Sequence, residues 1–106
     1  MPKRLLPARP DIPDWTFLSN HTHVLVCLYL EPDLLLREVA QVVQLTERSV
    51  QKILADLADA GVVSHEKEGR RNRYTLHLDK PLRHPLESQH TVGELLISVA
   101  GRRPSA

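Results

Sequence analysis

Apolar residues recur along this chain mostly at helical spacing and alternate in a single stretch. Val24, Leu25, Leu28 and Tyr29 share one face of a helix predicted over His21 to Leu30. Ser19 or Asn20 offers it an N-cap oxygen, and Pro32 ends it. Leu34 and Leu35 fit a short strand ahead of a helix over Leu36 to Val43. Thr46 then caps a longer helix, in which Glu47 and Arg48 open the first turn and Val50, Ile53, Leu54 and Leu57 turn one stripe inward. Gly61 follows Ala60 at a place where a left-handed backbone costs glycine nothing, so the helix stops there. Val62 and Val63 start a strand that runs to a turn at Gly69 to Asn72. Arg73 to Leu78 returns from it with Tyr74, Leu76 and Leu78 on one side. Thr91 and Glu94 form a capping box for a last helix, along which Val92, Leu95, Leu96 and Val99 fall at i, i+3, i+4 and i+7 before Gly101. Ile97 and Ala100 widen that stripe, and a helix apolar over more than one face in so small a domain asks for a partner surface.

The segments outside these elements divide the chain. Residues 1–14 hold Pro2, Pro7, Pro10 and Pro13, which forbid a regular helix and leave a flexible extended arm. Its Lys3, Arg4 and Arg9 either stay solvated or reach into a minor groove. Trp15, Phe17 and Leu18 are expected to tuck the end of the arm against the domain that spans residues 15–79. Residues 80–106 hold an irregular crossing with Pro81 and Pro85, followed by the terminal helix.

At 106 residues the chain has room for one modest core and none for a deep pocket of its own. Its formal charge is only +1, so bulk basicity says nothing about partners and the distribution decides. Between Gly69 and His84, Arg70, Arg71, Arg73, Lys80 and Arg83 face a single acid, Asp79. The lone cysteine, Cys27, lies in an apolar run and reads as a small buried hydrophobe in a reducing compartment. No secretory leader follows the first residue, and the apolar run Val24 to Leu30 is far too short to span a bilayer. A cytoplasmic, nucleoid-associated protein without a membrane partner is the expectation.

The functional reading rests on Leu36 to Gly61. Two helices joined by a tight turn, with Val39, Val43, Leu45, Val50 and Ile53 at the buried positions and small Ala40 at the crossing, have the layout of a helix-turn-helix. The second helix exposes Thr46, Glu47, Arg48, Gln51 and Lys52, all able to bond base edges or phosphates. Arg48 suits guanine and Gln51 adenine; Glu47 is either an acceptor for cytosine or a solvated acid that complements the helix dipole. Arg70, Arg71 and Arg73 around Asn72 place fixed charge on the hairpin tip, unless Arg73 pairs with Glu66 or Glu68.

Helix, small strand, helix, turn, helix and hairpin is the order of a winged helix, an α+β fold with a three-helix core and a two- or three-stranded wing. Over about Trp15 to Gly101, and most specifically in REVAQVVQLTERSVQKILADLADAGVV and EKEGRRNRYTL, the chain resembles the winged helix-turn-helix transcriptional regulators of the broad MarR and ArsR type. The resemblance implies a recognition helix, residues 46–60, in the major groove and a wing, residues 66–76, on the backbone or minor groove. It also implies a C-terminal dimerisation helix whose contacts would be Val92, Leu95, Leu96 and Val99. The sequence departs from many such motifs at Gln44, where they have glycine.

The expected protein is therefore a homodimeric, sequence-specific regulator that binds double-stranded DNA. A winged-helix protein-interaction module is the alternative, and a metal- or ligand-gated repressor a further one. His21 and His23 point in different directions on a helix, whereas His65 and His77 would face each other across a hairpin centred near Arg71. Two imidazoles do not close a tetrahedral site, the cysteine-rich motif of metal-sensing relatives is missing, and His84 and His90 suit polar contacts beside the last helix. No metal or cofactor is expected. Nor is catalysis, because no nucleophile elbow, phosphate-cradling glycine loop or carboxylate pair appears.

Overall fold

The elements follow the caps. The computed structural model describes Leu6, residues 11–69 and residues 71–102. In chain order these form α1 (Asn20–Leu30), α2 (Leu36–Val43), α3 (Glu47–Asp59), β1 (Val63–Glu68), β2 (Arg71–Leu76) and α4 (Val92–Ala100). Among the described residues the protein is thus α+β, four helices with one two-stranded antiparallel sheet, an arrangement compatible with a winged helix.

Ser19 stands at the N-cap of α1 with no side-chain cap bond. Thr46 does cap α3, its hydroxyl accepting the Ser49 amide at 3.1 Å. At the other end of α3, Gly61 has φ +76°, its amide bonds the Ala58 carbonyl, and the Val62 amide bonds that of Leu57 at 2.9 Å. These paired bonds satisfy carbonyls the helix would otherwise leave open. Helix α2 ends the same way without a glycine. Gln44 takes φ 56° and ψ 48°, and the Gln44 and Leu45 amides both reach the Ala40 carbonyl. A side chain in this region costs roughly 1 kcal/mol, which the turn carries in order to send α3 off at its angle.

The three helices α1, α2 and α3 touch one another, and α4 lies on α1. Among the described residues Val24, Val50, Cys27 and Leu96 are the most deeply buried side chains, so the terminal helix contributes to the same core as α1 and α3. The Tyr29 hydroxyl donates to the Gly101 carbonyl at 3.1 Å and ties the end of α4 to α1. At the start of α4, Val92 and Gly93 donate to the carbonyls of Lys80 and Leu78, and Glu94 to the Thr91 hydroxyl. The Glu94 carboxylate in turn accepts the Thr91 amide at 2.8 Å, which completes the capping box and holds its pKa below the usual carboxylate value.

Leu34 and Leu35 are not a strand. The Leu34 amide closes a turn onto Glu31, while Leu35 receives the Glu38 amide and gives its own to the Glu38 carboxylate. Those groups are consumed in starting α2, so the sheet has two strands among the described residues. The hairpin turns earlier than the charge pattern suggests: Glu68 pairs with Arg71, and Gly69 at φ +62° makes the tight turn possible. Trp15 and Phe17 do not tuck in. They are 68% and 92% exposed and meet edge to face at 4.9 Å, while Leu18 alone of the three is half-buried. In the arm, Leu6 is buried and its amide donates to Glu31; Lys3, Arg4 and Arg9 lie outside the described residues.

Candidate nucleic-acid interface

Burial of Val50, Ile53, Leu54 and Leu57 rotates the opposite side of α3 outward. Thr46, Glu47, Arg48, Gln51 and Lys52 are all exposed, and the last four fall at spacings that share one helical face. Thr46 is set apart. Its hydroxyl accepts the Ser49 amide and donates to the Ser49 hydroxyl at 3.0 Å, so it holds the first turn and has little left to give a ligand. Ser49, which no sequence pattern singled out, is exposed beside it in that turn.

Strand alternation sorts the wing. Val63, His65, Lys67, Asn72, Tyr74 and Leu76 share the face that begins in the core; Glu66, Glu68, Arg71 and Arg73 share the other. Arg71, Asn72 and Arg73 are exposed, but they are strand residues and not a loop tip. Arg70 lies outside the described residues. The Arg71 guanidinium donates to the Asp33 carbonyl and so braces the hairpin against the α1–α2 connection, in the place where a third strand was expected. A guanidinium carries five donors, so this tie leaves others for a second partner. Arg73 lies across from Glu66 and its guanidinium meets the Glu68 carboxylate at 3.4 Å.

Helix α3 and the hairpin meet in a shallow cleft of ≈ 230 Å³ lined by Gln51 of α3, by Arg71, Asn72 and Tyr74 of β2, and by Leu34, Leu35 and Leu36. The surface therefore joins Gln51 with Arg71 and Asn72. Glu47 and Arg48 occupy the exposed first turn of α3, and Arg73 belongs to the outer face of the hairpin.

The predicted dimer contacts separate. Val92 and Leu96 are 3% and 0% exposed, spent on the protomer's own core, and are withdrawn from any subunit surface. Leu95 is half-buried and Val99 is 47% exposed; these two lie one helical turn apart, and Leu86 beside Leu95 is 83% exposed.

The histidines are all otherwise engaged. His21 meets Asp56 of α3 at 2.9 Å, His23 meets Asn20, His77 meets the Ser64 hydroxyl, His84 accepts the Leu86 amide and His90 faces Glu94 at 3.6 Å. His65 lies against Tyr74 and not His77, because the register is centred between Gly69 and residue 70. Among the described residues no three His, Cys, Asp or Glu side chains gather where they could hold a metal. Burial, with Glu31 adding to it, pushes the Cys27 thiol up to about 11, which keeps it protonated and unreactive.

No family model, curated protein or solved structure matches this chain. No helix among the described residues is long and apolar enough to cross a membrane.

Proposed function

We propose that the protein is a winged helix-turn-helix transcriptional regulator that binds double-stranded DNA sequence-specifically as a homodimer. It is a binding protein and not an enzyme. The observation that carries this reading is the exposed stripe Glu47, Arg48, Gln51 and Lys52 on α3, set beside a hairpin whose Arg71 and Asn72 line the same cleft as Gln51. A helix of this width fits the major groove, and its capped N-terminal turn brings a positive dipole end toward phosphate. Arg48 and Gln51 read bases, Lys52 and Ser49 hold backbone, and the wing lies along the flanking phosphates.

Dimerisation is assigned to Leu95, Val99 and Leu86, apolar groups on or near α4 that the core leaves partly or wholly exposed; Ile97, 50% exposed, lies on another side of the helix. In such a dimer the recognition helices sit roughly 34 Å apart and read half-sites one DNA turn from each other. Selection of bound sequences from a random duplex pool tests the reading directly. A two-fold symmetric consensus is expected; a pool that emerges unenriched at low salt refutes it.

One observation favours a second reading. Trp15 and Phe17 stand exposed as an edge-to-face pair, more apolar surface than a lone DNA-binding domain needs. In a protein-interaction module such a pair would dock on another chain. A sizing column run with and without duplex separates the two: a monomer indifferent to DNA is the signature of the module.

A further inference from the structure

We propose that the wing carries its own competitor for the DNA backbone: Glu68 holds Arg73 in the free protein, and phosphate must displace that carboxylate to recruit the arginine. The inference rests on the DNA-binding reading and adds a residue that tunes it. The outer face of the hairpin presents Glu66 and Glu68 against Arg71 and Arg73, two acids and two cations, so its formal charge sums to zero. A face built only to attract phosphate has no use for those acids. The Glu68–Arg73 contact is 3.4 Å long and its side chains are 59% and 66% exposed, the kind of pair that contributes little to folding and exchanges readily with another anion. Arg71, opposite Glu68 in the register, spends part of its guanidinium on the Asp33 carbonyl, whereas Arg73 is the cation that Glu68 holds and whose bond can be traded for phosphate. Binding is therefore throttled at the wing. Affinity for any duplex is kept low, and discrimination is left to α3.

The test measures dissociation constants for a random-sequence duplex by fluorescence anisotropy, over a series of salt concentrations. The proteins are wild type, Glu68→Gln, Arg73→Gln, the double variant, and Glu87→Gln, an acid on the connector that makes the same change in net charge. Glu68→Gln should bind about two- to fivefold tighter at low salt, the scale of one exposed ion pair. Its plot of log affinity against log salt should steepen by up to about 0.9, one further phosphate neutralised. In the Arg73→Gln background most of that gain should vanish. A gain no larger than that of Glu87→Gln, or one that persists without Arg73, overturns the proposal while the DNA-binding reading stands. Wild-type protein that binds no duplex overturns both.

Discussion

Replacing Gly93 by alanine sets two effects of opposite sign against each other. Alanine is favoured over glycine within a helix by roughly 1 kcal/mol, so intrinsic propensity alone expects Gly93→Ala to stabilise α4. The structure expects the reverse. A Cβ at Gly93 would lie 3.0 Å from both the carbonyl oxygen and the Cβ of Leu78, well inside the roughly 3.5–4.0 Å at which carbon atoms rest. The carbonyl cannot simply turn aside, because it accepts the Gly93 amide at 2.9 Å and its neighbour Lys80 accepts the Val92 amide at 2.8 Å. Either the helix start moves off the 78–80 segment and weakens both bonds, or Leu78 shifts with the end of the hairpin. Overpacking of this kind costs about 1–3 kcal/mol. Set against the propensity gain, a net loss of about 1 kcal/mol remains, equivalent to a fall of about 4–8 °C in melting temperature for a domain of this size. Urea and thermal unfolding followed by circular dichroism measure it. An alanine variant as stable as the wild type, or more so, would show that the contact between α4 and the Leu78 segment is not the tight junction described above.

Gln44→Gly should be more stable than Gln44→Ala by about 1 kcal/mol in urea titrations, since both lack the glutamine side chain and only glycine escapes the cost of a Cβ at φ 56°. DNA affinity should be unchanged, because the angle between α2 and α3 is kept. Arg48→Ala should cost about 1–3 kcal/mol of binding to the selected consensus and relax preference at one base position; loss spread evenly over all sequences would reassign Arg48 to the backbone. The Cys27 thiol, raised in the fold from 9.0 to about 11, makes a contribution to stability that is whole below pH 9 and is lost as pH climbs toward 11, because only the unfolded chain ionises readily in that window. Urea midpoints at pH 8 and pH 10.5 should differ, and Cys27→Ala should flatten the difference although it lowers both values.

Helix boundaries were largely legible because their causes are local. Thr46 and Thr91 cap amides three residues on, and Gly61 terminates α3 with bonds that span no more than five residues. Gln44 was visible as a departure from the usual motif, and its left-handed backbone is what that departure entails. The candidate site was legible in part for the same reason. Once Val50, Ile53 and Leu57 are known to face inward, helical geometry puts Arg48, Gln51 and Lys52 outward with no further information.

Other features depended on segments distant in the chain. Spacing marked Val92, Leu95, Leu96 and Val99 as one apolar stripe but could not say which of them the body of the domain would cover; the core takes Val92 and Leu96 and leaves Val99 in solvent. The cluster of arginines suggested fixed charge on a tip, with Arg73 pairing Glu66 or Glu68 as the alternative; a hairpin register two residues tighter than expected laid Arg71 and Arg73 opposite Glu68 and Glu66 and brought Arg73 to Glu68. Leu34 and Leu35 had the composition of a strand, but Glu38 claimed the Leu35 amide and Arg71 reached the Asp33 carbonyl from 38 residues away.

The sequence by itself thus determined where each helix starts and stops and which side of α3 meets solvent, because caps, glycines and periodicity act within a few residues of backbone. Tertiary structure alone decided the pairing of charges on the wing, the division of α4 between core and surface, and the approach of Gln51 to Arg71. Each of these is a competition among partners far apart in the chain, and only the folded geometry sets which partner is near enough to win.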